Sequence, residues 1–199
     1  VAVDSGRRHI SGFCRVEVEG RVLQARQPIY LMLHKPRGCV SATIDSRHPT
    51  VLDLIDLPSK EQLHLAGRLD VNTTGLLLLT NDGNWSRKIT LPQRKIAKTY
   101  RVETKDEISA EYVRTFAAGM YFRFENLTTL PAELRLVSAN TAELTLHEGR
   151  YHQIKRMFGF FRNEVIGLHR LSVGNIVLDP GLLPGQYRHL SPAEVASMR

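Results

Sequence analysis

Apolar and polar positions along this chain alternate in short bursts that switch between the periods of strands and of helices. The most uniform burst is Gly75-Leu76-Leu77-Leu78-Leu79-Thr80, closed by the turn signal Asn81-Asp82-Gly83. A run this short with no polar position inside it predicts a strand buried on both faces. A second apolar run, Ile29-Tyr30-Leu31-Met32-Leu33-His34, also has strand length and stops at Lys35-Pro36-Arg37-Gly38, where proline and glycine break it between two cations. Alternation predicts further strands over residues 98–103, 165–173 and 176–178, and a hairpin from residues 132–137 and 141–147 about Ser138-Ala139-Asn140. Residues 1–4 and 15–22 alternate over shorter lengths, with Glu19-Gly20 suited to a tight turn between Val18 and Val22.

Helical spacing occupies the gaps. Residues 50–55 predict a short helix capped by Thr50, and residues 85–91 a helix that begins near Asp82. Tyr112, Val113 and Phe116 mark one face of a helix capped by Ser109, and Ile154, Met157, Phe158 and Phe161 mark one face of another. Ser191-Pro192-Ala193-Glu194 opens a closing helix with a serine cap, proline first and glutamate third. Hairpins are frequent and no regular βαβ alternation runs through the chain, which predicts an α+β fold on a mixed, largely antiparallel sheet.

Composition narrows the class. A chain of 199 residues, 42% hydrophobic and 24% charged, is long enough to bury a real core in one soluble domain. Residues 27–199 account for that domain, whereas residues 1–26 hold too little apolar surface to fold unaided. No apolar run approaches the roughly 20 residues of a membrane span, and the start of the chain does not read as a signal peptide. Cys14 and Cys39 lack the paired spacing of a zinc site or a disulfide framework, so a reducing, cytoplasmic setting is expected. A net charge of +7 and a pI near 9.7 favour a polyanionic partner such as nucleic acid.

The chemistry is defined partly by what is missing. His147 and His152 fit no metal-ligand spacing, the glycines at 67 and 75 make neither a dinucleotide nor a phosphate loop, and no GxSxG elbow occurs. A cofactor-free, metal-free reaction or plain binding is left. Asp70 lies in a polar loop just before the leucine strand, two residues after Arg68. A carboxylate beside a cation stays ionised, and an ionised carboxylate serves as nucleophile or base. Tyr100 offers an aromatic face and a hydroxyl, and Lys155 and Arg156 offer charge. Taken singly, each also has a plain structural reading: a turn cap, a half-buried strand aromatic, a solvated helix face.

Several motifs in register decide between these readings. Gly67-Arg68-Leu69-Asp70 with Thr73-Thr74-Gly75 and a leucine strand, then Lys98-Thr99-Tyr100, then Glu148-Gly149-Arg150-Tyr151-His152-Gln153-Ile154-Lys155-Arg156-Met157, resemble the RsuA branch of ribosomal RNA pseudouridine synthases. The turn Leu33-His34-Lys35-Pro36-Arg37-Gly38 is similar to that family's first motif, and the likeness runs from about Ile29 to the C-terminus. It implies the pseudouridine synthase fold, with an active-site cleft across the sheet. It also implies isomerisation of a uridine in RNA without metal or cofactor.

Carried over by position, the resemblance makes Asp70 the nucleophile, attacking C6 of the base or C1′ of the sugar. Tyr100 stacks on the uracil, and Lys155 is the basic partner of the aspartate. Arg68 holds the flipped nucleotide or fills the gap it leaves, and Leu168 lines the pocket. Lys35, Arg37, Lys98, Arg150 and Arg156 are the expected RNA contacts. The expected partner is 16S ribosomal RNA within a ribonucleoprotein particle, met by a monomer in the cytoplasm and not at a membrane. A 23S-directed relative and a non-catalytic RNA-binding module of ribosome assembly are the alternatives. Members of this branch begin with a small S4-type RNA-binding domain, of which residues 1–26 carry at most the strand-forming end or a linker.

Overall fold

The two apolar runs become neighbouring strands at the centre of one sheet. The computed structural model describes residues 10, 12–123 and 125–198; the alternating stretch at residues 1–4 lies outside them. Strands β1 (Val16–Val18) and β2 (Arg21–Gln24) form a separate antiparallel ribbon. Glu19 and Gly20 turn it with φ of 50° and 78°, the positive values that a two-residue hairpin loop requires.

The main sheet opens with β3 (Tyr30–Lys35), and the short β4 (His64–Leu65) precedes the leucine strand β5 (Thr74–Thr80). Helix α1 (Gly83–Thr90) follows, its first turn capped by the Asp82 carboxylate, which accepts from the amides of Asn84 and Trp85. Then come β6 (Lys98–Thr104), α2 (Ala110–Ala118) and the small pair β7 (Tyr121–Phe122) and β8 (Leu127–Thr128). The predicted hairpin is β9 (Glu133–Ser138) with β10 (Thr141–Leu146), after which α3 (Gln153–Phe160) leads into the long β11 (Val165–Val173). The chain closes with β12 (Ile176–Val177), β13 (Tyr187–His189) and α4 (Pro192–Ala196), whose capping box pairs Ser191 with Glu194. The predicted helix at residues 50–55 is one turn of 3-10 helix, Val51–Leu54, capped by Thr50 and Asp53.

Nine strands share the sheet in the order β13-β3-β5-β11-β6-β10-β9, with β12 paired to β11 and β4 to β5. Every pairing is antiparallel except β5 with β11, a parallel contact that sets His169 opposite Thr74 and Arg170 opposite Gly75. That contact is close. Gly75 has φ +104°, and a Cβ there would lie 2.3 Å from the carbonyl oxygen of Arg170. Two antiparallel halves are therefore joined along a short seam that depends on a glycine.

Alternation along β3 and β5 sorts their side chains to two cores, as a strand covered on both faces demands. Met32, Leu76 and Leu78 pack with Trp85 and Ile89 of α1 and Val195 of α4. Leu31, Leu33, Leu77 and Leu79 pack on the other face against Cys39, Val51, Ile55 and Leu69. A third core joins Val102, Leu134 and Leu144 to Phe116 of α2 and to Ile154, Met157 and Phe158 of α3. Each such side chain contributes about 1.5–3 kcal/mol by leaving water.

Beside the seam, His34 and His169 meet edge to face with 5.3 Å between centroids, and Thr74 Oγ1 lies 2.8 Å from His169 Nδ1. Burial, reinforced by His34, pulls His169 below its ordinary value of 6.5. Folding then favours the neutral ring. Its contribution to stability is complete above the unfolded value and is lost as pH falls from there through the folded value. Thermal melts recorded from about pH 7 to about pH 5 should show Tm falling, with a shallower slope in His169→Gln. Equal slopes would remove His169 from that account.

Candidate active site

The loop between β4 and β5 is tied down along its backbone, so the partly exposed Asp70 side chain is held rather than loose. Leu69 is buried in the core, and Ser41 Oγ donates to the Leu69 carbonyl at 2.7 Å while accepting from its amide at 3.1 Å. Thr73 N donates to the Asp70 carbonyl at 3.0 Å, and Gly38 N donates to the Val71 carbonyl at 3.0 Å. Beneath the loop sits Lys35, 0% exposed. Its ammonium lies within 2.9–3.2 Å of the carbonyl oxygens of Pro36, Asp70, Val71 and Thr73. Three N–H groups shared among four carbonyls bind the turn after β3 to the loop before β5. Burial lowers the Lys35 pKa, the charges of Cys39 and Asp70 oppose that fall, and Arg170 adds to it. Arg170, also buried, donates from Nε to the Leu76 carbonyl at 2.7 Å and from Nη1 to that of Arg68 at 3.4 Å.

The Asp70 carboxylate, 34% exposed, faces the segment that leads into α3. Lys155 Nζ lies 3.4 Å from its Oδ2, and His152 Nε2 lies 3.3 Å from the same oxygen. The motif around His152 builds its own scaffold. Glu148 Oε1 accepts from Gln153 Nε2 at 2.7 Å and from the Leu130 amide at 2.9 Å, and Glu148 Oε2 accepts from Arg150 Nε at 3.0 Å. Gln153 Oε1 in turn accepts from the Arg150 amide at 3.1 Å. The sequence singles out His152 only against metal-ligand spacing, which it does not fit. It precedes α3 with a left-handed backbone, φ 48° and ψ 30°, which turns its ring toward the loop.

The remaining candidates divide. Leu168, Arg37 and Lys155, with Asn72 and Thr73 of the loop, line a cleft of ≈ 340 Å³ beside Asp70, and Arg37 Nη2 donates across to the Ile166 carbonyl at 3.2 Å. Arg68 is exposed on the Asp70 loop. Tyr100 stands in register with Arg170 of β11 and packs where the core over α3 meets the core under the loop. Arg150 is exposed beside Glu148.

Three of the expected RNA contacts are engaged within the protein. Lys35 is enclosed by carbonyls and supports the loop from within. Lys98 is half-buried, donates to the Ile96 carbonyl at 2.9 Å, and has its pKa lowered by burial and by Arg170. Arg156 is spent on Glu125 through both terminal nitrogens and on the Phe122 ring, 3.9 Å below its guanidinium, so it pins the β7–β8 pair to α3.

The arrangement suits covalent chemistry on a polyanion: a carboxylate with paired nitrogen neighbours at the edge of a cleft, over a bed of cations. Comparison with known proteins gives the family. Residues 29–159 match the family model for RNA pseudouridylate synthase. A ribosomal small subunit pseudouridine synthase A of Pseudomonas aeruginosa is 56% identical over 98% of this chain and 86% of its own. Its counterpart from Escherichia coli strain K12 is 46% identical over 88% and 76%. A crystal structure of a pseudouridylate synthase superposes with TM-score 0.84 and 42% identity over 99% of this chain and 85% of that one. An H/ACA RNP bound to a substrate RNA containing 2′-deoxyuridine gives TM-score 0.52 at 16% identity over 78% of this chain and 50% of that one, a likeness of fold alone. With its α+β sheet and these matches along nearly its whole length, the chain belongs to the RNA pseudouridylate synthase family.

Proposed function

We propose that the protein isomerises one uridine of 16S ribosomal RNA to pseudouridine, with Asp70 as nucleophile. The observation that carries this reading is Asp70 Oδ2 beside His152 and Lys155, the latter lining the cleft. The names of the two relatives, both small-subunit synthases, support the RNA class. In the reaction the N1–C1′ bond breaks, the base turns, and C5 bonds to C1′. The proton on C5 leaves to solvent and N1 takes one up, so atoms balance with no cofactor. Asp70 forms a transient bond to C1′ or to C6 and is regenerated.

A stacked uridine hides both carbons, so it is extruded into the cleft at a cost of a few kcal/mol. Stacking on Tyr100 and a grip on the backbone by Arg37, Arg68 and Arg150 offset that cost. Leu168 forms the apolar wall of the pocket, and Lys155 holds the aspartate charge. Residues 27–199 form the catalytic domain, with residues 1–26 as an S4-like remnant or linker. The enzyme works as a monomer in the cytoplasm on RNA already packaged in a ribonucleoprotein particle.

Tritium release from 5-[³H]uridine-labelled 16S and 23S RNA, each naked and as particles, tests this. Release from 16S material is the expected result, faster from particles. Release from 23S material alone would keep the chemistry and overturn the RNA class. No release from any substrate, with RNA still bound, would make the protein a binding module of ribosome assembly.

A further inference from the structure

Two nitrogen groups converge on one oxygen of Asp70, and they differ in kind. Lys155 brings a point charge on a flexible stem, which neutralises but directs poorly. His152 brings a planar ring, and three features fix where that ring points. Its backbone is left-handed, with φ 48° and ψ 30°, a conformation that a non-glycine residue adopts at a cost and that clusters at functional sites. The loop that carries it is locked by Glu148 and the buried Gln153. The Tyr151 ring, 79% exposed, lies stacked on the imidazole at 3.9 Å and 20° between planes. A histidine that merely decorated the surface would need none of these.

We propose that His152 is a positioning residue of the isomerisation. Its Nε2 and the Lys155 ammonium together hold Oδ2 of Asp70, which fixes the carboxylate plane and leaves Oδ1 as the attacking atom. Among the described residues no side chain donates to Oδ1. Contacts of 3.3 and 3.4 Å are long for hydrogen bonds, as is common for catalytic groups before substrate binds. The inference rests on Asp70 being the nucleophile.

Two amide variants separate the role of the ring nitrogen from that of the fold. Asparagine tolerates the left-handed backbone but falls short of Asp70, whereas glutamine reaches about as far as Nε2. The expected result for His152→Asn is a kcat lower by about 10- to 100-fold with KM within about threefold, as for a nucleophile mis-aimed by a fraction of an ångström. His152→Gln should return kcat to within about threefold of the parent, because it restores a donor at the same place. If both variants keep full kcat, or both lose it equally, the positioning role is wrong. Asp70→Asn, measured alongside, keeps the two readings apart. Residual turnover in that variant removes the nucleophile assignment, whereas an inactive Asp70→Asn beside a fully active His152→Asn removes only the inference about His152.

Discussion

Asp70→Asn abolishes isomerisation, by at least about 10³-fold in kcat, while RNA affinity stays within about twofold. The substitution is isosteric, so the loop held by Lys35 and Ser41 has no reason to move. What it removes is the nucleophile itself: an amide oxygen does not form the covalent bond to C1′ or C6 on which the proposed reaction depends. On the proposed reading affinity is insulated, because phosphate contacts by arginines away from Asp70 would supply most of the binding. Fluorescence anisotropy with labelled RNA and tritium release, run on one preparation, measure the two quantities together. A parallel fall in both would mean that Asp70 organises the RNA site, and catalytic turnover by the variant would end its role as nucleophile.

Gly75→Ala destabilises the fold by about 3–5 kcal/mol, from two costs that add at one atom. A φ of +104° is unfavourable for any side chain by about 1–3 kcal/mol. The new Cβ also lands 2.3 Å from the Arg170 carbonyl oxygen and 2.6 Å from its amide nitrogen. Those atoms are backbone and have no rotamer to relax into, so β5 and β11 must part, at a cost typical of overpacking. Gly83→Ala is the matched control. Gly83 opens α1 at an ordinary φ with nothing within 4 Å of a Cβ, so alanine there should leave stability unchanged or raise it by about 0.5 kcal/mol. Urea unfolding of the two variants reads the difference directly, and a Gly75→Ala no costlier than Gly83→Ala would contradict the close approach of the two strands.

Local patterns announced most of the elements. Four leucines in a row form a strand whose residues alternate between two cores, Ser109 and Ser191 cap the helices the sequence assigns them, and the helix expected to begin near Asp82 is capped by it. Pairing across the seam has no such signature: β5 could have bonded to any strand of matching length, and only the tertiary fold brings His169 beside Thr74. Lys35 shows the same limit at the site. At the end of an apolar strand a lysine reads as a surface cation, because the carbonyls that enclose it come from the distant residues 70–73. Arg156 reads as free charge for a similar reason, its partner Glu125 lying in a different hairpin. Asp70 and Lys155 were legible through their motifs, whereas the His152 contact depends on a left-handed backbone that residue types do not reveal.

Because the parallel contact joins two halves that are each antiparallel within themselves, catalysis is divided between units that fold by different contacts. Asp70 arrives with β5, and Lys155 and His152 arrive with the segment ahead of β11. Hairpins such as β9–β10 close short loops, whereas registering β5 against β11 closes a long one and pays that entropy before the strand contact repays it. The two halves can therefore acquire secondary structure before Asp70 meets its nitrogen partners. The proposed site is thus complete only when the β5–β11 contact is made, and a variant that weakens that contact is expected to lose the site along with the seam.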